Sequence, residues 1–437
     1  MRTLAEWLTL QESVHPKSID MDLTRVASVA RTLGVAEAGC AVITVGGTNG
    51  KGSVAAHLDA LLRACGVRTG LFTSPHFLRY NERIRVEDRE VDDATLVGAF
   101  ERIAAARGAT TLTFFEYNTL AALLIFRERA VAAAVLEVGL GGRLDATNLV
   151  DADVAVLASV GFDHRDFLGD TLEAIGAEKA GIFRAGRPAV LGTPDMPASV
   201  FTAIRALGAK ALVAERDFTW QRSDGQWAYR GPRLAFAGLP PPVLEGAIQY
   251  RNAATALAAL EALGTGEPRA ASARAVQALA GLDARRVAAG LGSVRLAGRF
   301  QIVPGAVEWI LDIAHNEPAA RVLAAQLHER PPPGHAGRTL AVIGVLVDKD
   351  ASAIAAALAG EVDHWFACAL PGARGATAAQ LAARLALPSG AVTLADSVVA
   401  GCQLARAQAR AGDRVVVCGS LFTVGPALEW LRIYSAP

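Results

Sequence analysis

The sequence predicts an α/β protein. An N-terminal P-loop-type, doubly wound, mainly parallel sheet with a small antiparallel meander is followed by a smaller C-terminal α/β domain. Three observations predict it. From Val42 onward, short apolar runs rich in β-branched residues alternate with helical patterns, as in a parallel sheet buried on both faces. Residues 217–237 instead alternate aromatic and polar positions (Phe218, Trp220, Trp227, Tyr229, Leu234, Phe236), which reads as a meander. From about Arg299 the strand–helix alternation restarts, after a short polar link bracketed by Gly292 and Gly298. The expected domains are residues 1–295 and 296–437.

Helices over 4–13 and 20–33, separated by a turn at His15–Asp20, lead into a buried strand, Val42–Val45. Four glycines in seven residues follow, in Gly46-Gly47-Thr48-Asn49-Gly50-Lys51-Gly52-Ser53, and then a helical pattern from Val54 to Ala64. This is the arrangement of a phosphate cradle. Glycines let backbone N–H groups turn toward an anion, and a helix N-terminus adds partial positive charge. Lys51 is placed to reach the outer phosphates of a bound anion, and Ser53 to offer its hydroxyl to Mg²⁺. The spacing departs from the standard motif, with Val45 where the first Gly belongs and Gly52 where a hydroxyl residue follows Lys. The alternative is a plain glycine turn.

Arg68–Phe72 reads as a second strand ending in the polar loop Thr73–Arg83, with helices near 92–106 and 115–129 after it. The apolar run Ala132–Val138 carries Glu137 at its end, an unusual place for a carboxylate, and passes into the flexible loop Gly139–Asn148. Asp153–Ser159 is a further strand, followed by Gly161-Phe162-Asp163-His164 and a helix with Glu178 and Lys179. Strands near 188–192 and 210–214 and helices at 248–263 and 269–280 complete the first domain. The second offers strands at Phe300–Val303, Val307–Leu311, Thr339–Val345 and Val415–Cys418, the last with a Gly419-Ser420 loop. In such sheets ligands bind beyond the carboxyl ends of the strands. Gly47–Ser53, Ser74, Glu137 and His164 all fall there.

A chain of 437 residues, over half of them apolar, suits two or three cores. Zero formal net charge argues against a nucleic-acid partner. The five scattered cysteines show no metal spacing and suggest reduced thiols in a cytoplasmic protein. Glu6 comes too early for a signal peptide, and no run reaches the length of a membrane span. The expectation is a cytoplasmic monomer acting on small molecules, with no nucleic-acid or membrane partner.

Taken in order, these loops resemble the Mur-ligase superfamily of ATP-dependent amide-forming ligases. Within it they resemble the dihydrofolate synthase/folylpolyglutamate synthase family. The resemblance rests on Gly47–Ser53, Thr73-Ser74-Pro75-His76, Glu82-Arg83, Glu137–Asn148, Asp163-His164, Glu178–Ile182, Gly298-Arg299-Phe300, Asp312–Asn316 and Ala341–Asp350. It implies joining L-glutamate to dihydropteroate, giving dihydrofolate, and then adding glutamates to reduced folates. A carboxylate must first be activated, which γ-phosphoryl transfer from ATP does by forming an acyl phosphate. Glu137, with Ser74 or Ser53, suits one Mg²⁺ by its hard oxygen donors. For His164, a helix-capping or core role is open by chemistry alone, and the resemblance implies that it holds a second ion. The resemblance also implies carbamylation of Lys179, whose alternative is a solvated lysine.

ATP binding is implied for Thr48, Asn49, Gly50, Lys51, Gly52, Ser53, Asn252, Arg299 and Asp312, with Lys51, Lys179, Arg299 and His315 in catalytic roles. His315 and Ser420 are implied at the glutamate, although His315 also reads as the neighbour of a helix N-cap. The dihydropteroate pocket is implied around the Ser18–Asp22 turn with Asp20 and Met21, around Arg79, around Thr113, Phe114, Phe115 and Glu116, and around Leu144, Asp145 and Ala146. Phe114, Phe115 and Tyr117 suit stacking on a flat pterin, or plain core packing. The chain departs from the family in carrying Ile313 where many relatives have Gly, and Glu317 before Pro318. About forty residues precede the first strand, too few for the nucleotide-sugar domain of a cell-wall ligase. A folylpolyglutamate synthase without the first activity, or a non-catalytic nucleotide-binding regulator, would also carry a phosphate loop of this kind.

Overall fold

A computed structural model describes residues 2–434 except Pro16, Ser18, Glu267 and Ser389, so Pro16 and Ser18 of the expected turns lie outside the described residues. The chain forms two compact units, Met1–Val243 with Tyr250–Val294, and Leu244–Gln249 with Arg295–Pro437.

The first unit is built on eight strands: β1 (Ala41–Gly46), β2 (Thr69–Phe72), β3 (Ile84–Val86), β4 (Arg89–Glu90), β5 (Ala133–Glu137), β6 (Val154–Leu157), β7 (Pro188–Leu191) and β8 (Lys210–Val213). Their order is β4-β3-β2-β5-β1-β6-β7-β8. β1 lies between β5 and β6, parallel to both, and every residue of it is buried. Because side chains alternate along a strand, its apolar residues feed two cores. Ile43 and Val45 join Val54, Leu58 and Leu61 of the helix Lys51–Ala64 on one face, and Val42 joins Leu136, Leu120 and Phe126 on the other. The meander is β9 (Thr219–Ser223), β10 (Gln226–Arg230) and β11 (Ala235–Leu239). It turns Trp227, Tyr229 and Leu239 into the first of these cores.

The second unit has β12 (Gln301–Val303), β13 (Glu308–Leu311), β14 (Thr339–Ile343), β15 (His364–Cys368), β16 (Val392–Ala395) and β17 (Arg414–Cys418), in the order β12-β13-β17-β14-β15-β16. β12 pairs antiparallel with β13, and the other pairs are parallel.

Four local expectations are corrected. The second helix begins at Thr24, not at residue 20, because Asp22 Oδ1 accepts from Thr24 N at 2.8 Å and holds a turn there. The helix after the glycine loop begins at Lys51, so Lys51, Gly52 and Ser53 form its first turn. The expected helix 269–280 is a 3-10 turn, Ala270–Ser272, and a shorter helix, Ala273–Leu279, and a further helix, Ala284–Gly292, follows under an Asp283 cap. The β3–β4 hairpin adds an antiparallel edge that the sequence did not announce.

Candidate active site

The glycine loop is shaped by two glycines with positive φ, Gly47 at 141° and Gly50 at 87°. A side chain at Gly47 would put a Cβ 3.1 Å from Ser159 N, and one at Gly50 would stand 3.2 Å from Asn252 Oδ1. Only glycine fits both the backbone and the space. The second contact brings Asn252, from the helix Ala247–Thr265, against the loop. The end of β6 ties the loop down. Thr48 N donates to Ser159 O at 2.8 Å, Thr48 Oγ1 donates to Gly161 O at 3.0 Å, and Asn49 N donates to Ser159 Oγ at 3.1 Å.

Two lysines converge on one carbonyl. Lys51 Nζ donates to Gly47 O at 2.9 Å and to Thr48 O at 3.1 Å. Lys179 Nζ, from the helix Leu172–Ala180, donates to the same Gly47 O at 3.1 Å. Burial, and then the charge of Lys51, push the Lys179 amine down to about 7, against the pull of Asp163, Asp145 and Glu178. A buried lysine close to neutrality beside a phosphate loop is an amine available for chemistry.

Glu137 ends β5 opposite Val45, the residue before the loop glycines, and Ser74 N donates to its Oε2 at 3.3 Å. Glu137 and Ser53 are both buried. His164 sits in the left-handed region at the start of the short helix Arg165–Leu168, and Asp163 Oδ1 accepts from its N–H at 2.9 Å. Among the described residues no three His, Cys, Asp or Glu side chains cluster as metal ligands. The donors at hand are one carboxylate, hydroxyl oxygens and one imidazole. Such a hard, oxygen-rich set fits Mg²⁺, which keeps several of its waters.

The residues expected at a pteroate pocket form a second polar group. Arg25 bridges two of them, with Nη1 2.9 Å from Asp20 Oδ2 and Nη2 3.1 Å from Glu116 Oε1. Glu116 also accepts from Thr113 N at 2.7 Å, closing a capping box at the start of the helix Phe114–Glu128. Phe114 and Phe115 are both half-buried, and Phe115 lies 5.7 Å from Phe72, whereas Tyr117 is packed into the core against Phe100 and is not available to stack on a pterin. Met21 Cε would stand 3.3 Å from a side chain at Gly141, so the expected turn reaches the loop after β5. Arg79 Nη2 donates to Glu90 Oε2 at 2.6 Å. Both oxygens of Asp145 are engaged within its own loop, one by Gly139 N and Leu140 N and the other by Thr147. Asp145 therefore shapes that loop, with Leu144 half-buried and Ala146 buried beside it. Ser159 and Arg25 escaped the sequence reading. A serine after an apolar run and an arginine on a short helix carry no signal by themselves.

In the second unit Asp312 accepts from Phe300 N at 2.8 Å and from Ala314 N at 2.9 Å. Burial pushes its carboxyl up, while Arg299 nearby pulls it down. Arg299 Nη1 donates to Gly298 O at 3.1 Å. His315 precedes Asn316, whose Oδ1 caps the helix Glu317–Glu329 by accepting from Ala319 N at 3.0 Å. The inserted Glu317 is thus the first helical residue, paired with Arg321 at 2.7 Å. Ser420 Oγ accepts from Phe422 N at 3.1 Å and caps the helix Leu421–Trp430.

A parallel sheet whose strand ends carry a phosphate loop, two lysines and a metal-suited carboxylate, joined to a second α/β unit, defines an ATP-dependent ligase of the Mur type. The Mur ligase middle domain matches residues 45–203, and the Mur ligase glutamate ligase domain matches residues 298–421. The dihydrofolate synthase/folylpolyglutamate synthase of Escherichia coli (strain K12) is 43% identical over 428 residues, covering 98% of this chain and 95% of that protein. The solved structure of E. coli FolC in complex with DHPP and ADP superposes with a TM-score of 0.89 at 41% identity, covering 99% of this chain and 98% of that one. A bifunctional folylpolyglutamate synthase/dihydrofolate synthase with Mn, AMPPNP and L-glutamate bound gives a TM-score of 0.88 at 39% identity, covering 99% and 98%. The chain belongs to the dihydrofolate synthase/folylpolyglutamate synthase family and is an ATP-dependent amide-forming ligase.

Proposed function

We infer that the chain joins L-glutamate to dihydropteroate, giving dihydrofolate, and extends reduced folates with further glutamates. ATP activates the acceptor carboxylate as an acyl phosphate. The observation that carries this reading is the convergence of Lys51 and Lys179 on the Gly47 carbonyl, with Glu137 at the neighbouring strand end. A lysine cation, Lys51, and a carboxylate able to hold metal, Glu137, beside a phosphate loop are what γ-phosphoryl transfer needs. Lys51 and the loop N–H groups bind and orient the phosphates, and Asn252 lies on the adenine side. Glu137 with Ser53 or Ser74 and, for a second ion, His164 and Lys179 would hold Mg²⁺, which would supply neutralisation of the phosphoryl charge when bound. Lys179 would act as its carbamate, formed from the neutral amine and CO₂ with loss of a proton, which turns a buried cation into an anion able to bind metal. Burial and an amine near neutrality support that reading.

Arg299 and Asp312 are assigned to ATP, with Arg299 stabilising charge on the transferring group. His315 and Ser420 serve the glutamate. Asp20, Met21, Arg79, Thr113, Phe114, Phe115, Glu116, Leu144, Asp145 and Ala146 surround the pterin, some by contact and others by shaping loops. All five cysteines are buried and free, and no helix among the described residues is long and apolar enough to cross a membrane. The reading implies a cytoplasmic monomer that needs neither nucleic acid nor membrane. Mass analysis of the products from dihydropteroate, and separately from tetrahydrofolate, each with excess glutamate and ATP, tests it. Added glutamate masses in both reactions are expected. Their absence in both overturns the reading, and extension of tetrahydrofolate alone leaves a folylpolyglutamate synthase.

A further inference from the structure

We propose that Arg83 grips the carboxylate that is to be activated and is thereby a catalytic residue of the ligation, an inference that rests on the function proposed above. Arg83 ends the 3-10 turn Tyr80–Arg83 and is 8% exposed. Its carbonyl accepts from Thr73 N at 3.0 Å, which pins it next to Ser74 and so close to Glu137. Its guanidinium lies 5.4 Å from the Phe114 ring centre and 5.7 Å from that of Tyr80. Nε donates to His76 Nδ1 at 2.7 Å. An Nε–H only donates, so His76 accepts through a bare Nδ1 and its imidazole is neutral.

Among the described residues no carboxylate forms an ion pair with Arg83, and its Nη atoms have no protein acceptor. The acidic groups acting on it through space are Glu82 and Glu137. Glu82 is turned away, accepting from Phe77 N at 2.7 Å, Leu78 N at 2.8 Å and Arg79 N at 2.7 Å. Glu137 is the residue assigned to metal. A nearly buried cation without a carboxylate costs free energy unless an anion joins it. The free edge of a guanidinium is a planar fork that matches a carboxylate with two parallel hydrogen bonds. The fork lies beside Phe114, the aromatic side of the pteroate pocket, and next to the Ser74–Glu137 end of the phosphate site. The anion that suits both neighbours is the carboxylate at the end of an aromatic acyl donor.

The chemistry then has a use for the fork in both steps. One carboxylate oxygen attacks the γ-phosphorus, and the bond to ADP breaks with its electron pair leaving on ADP. The other oxygen stays on Arg83 as the acyl carbonyl. When the glutamate amine attacks the carbonyl carbon, that oxygen carries the developing negative charge. It returns to a carbonyl as the C–O bond to phosphate breaks and the amine proton is lost to solvent. Donors already aimed at such an oxygen act without reorganisation.

Turnover and binding of dihydropteroate, and binding of its carboxamide, are compared in wild type, Arg83→Gln and Arg83→Lys, with ADP affinity as the check on fold. Wild type should prefer the carboxylate at least about tenfold, as a charge-assisted bidentate pair does. Arg83→Gln should lose about 100-fold in kcat, the usual scale for one oxyanion donor, and should erase that preference while ADP affinity holds. Arg83→Lys should keep part of the preference with kcat reduced about tenfold, since charge survives without the fork. A wild-type kcat in either variant, or an undiminished carboxylate preference in Arg83→Gln, overturns the assignment. If Arg83→Gln no longer binds ADP, Arg83→Lys decides alone. A wild-type protein that does not turn over dihydropteroate overturns the functional reading itself, before any variant is made.

Discussion

The two α/β units handle the carboxyl ends of their parallel strands differently. In the second unit, polar residues at those ends cap helices: Asn316 caps Glu317–Glu329, Asp350 caps Ala351–Leu358 and Ser420 caps Leu421–Trp430. In the first unit, the helix Lys51–Ala64 has no side-chain cap, and its N-cap is Gly50 in the left-handed region. Its first-turn N–H groups meet no capping side chain, and that is the condition for receiving an anion. The polar side chains around it brace the loop from outside, through Lys51, Lys179 and Ser159. A polar loop at a strand end is therefore weak evidence of a site. An uncapped helix with cations converging on the loop before it is stronger.

The harshest way to break this contrast is to remove the charge of Glu137. Glu137→Gln keeps the shape, so the fold and thermal midpoint should hold while ligase activity falls by at least about 100-fold, because metal neutralises the phosphoryl charge. Near-normal turnover at saturating Mg²⁺ would remove Glu137 from the site. Lys179 comes next. Lys179→Ala should abolish measurable turnover, and a short carboxylic acid added in solution should partly restore it. A carboxylate can replace a missing carbamate but not a missing cation. Rescue by small amines instead would make Lys179 a plain positive charge.

Much of the first unit was legible in the sequence because its signals are local. The β1 run, the glycine loop and the carboxylate ending β5 each announce themselves within a dozen residues. What stayed hidden is nonlocal or very short. Arg25 meets Glu116 across 91 positions of chain, and Ser159 meets Asn49 across 110. The β3–β4 hairpin sits in a charged stretch, Arg85-Val86-Glu87-Asp88-Arg89-Glu90, that lacks the apolar alternation of a strand. Glu82 and Asp145 were visible as acidic residues in matching motifs. Their work of gathering backbone N–H groups appears only once the loops are folded.

Arg299 tests whether the second unit is more than a scaffold. Arg299→Ala should lower turnover at least about tenfold, as loss of charge stabilisation does. Stability should stay within about 1 kcal/mol. An unfolded variant with unchanged ATP use per folded molecule would make Arg299 structural. The first unit offers a gentler test in pH. His57 Nδ1 bonds Ser53 O at 2.8 Å, and burial pushes the imidazole down to about 4. The folded pKa lies below the ordinary 6.5. Stability is therefore full above pH 6.5 and is lost as pH falls toward 4, because the unfolded chain binds the proton first. His57→Gln should flatten that slope in urea titrations between pH 7 and 4.5. An unchanged slope assigns the acid sensitivity to other groups.

Ser420 gives the smallest effect and the finest division between cap and site. Its Oγ accepts from Phe422 N, as an N-cap does. Replacing a serine cap with alanine costs about 1 kcal/mol, whereas glycine at the same position costs only a few tenths. Ser420→Ala and Ser420→Gly both remove the hydroxyl, but only the alanine variant removes most of the cap's benefit. If Ser420 is a cap alone, the thermal midpoint should fall in Ser420→Ala and much less in Ser420→Gly, while the KM for glutamate stays near normal in both. If its hydroxyl also meets the incoming glutamate, KM should rise equally in both while their thermal midpoints differ. The first outcome places Ser420 with Asn316 and Asp350 among the caps. The second extends to the second unit what the phosphate loop does in the first.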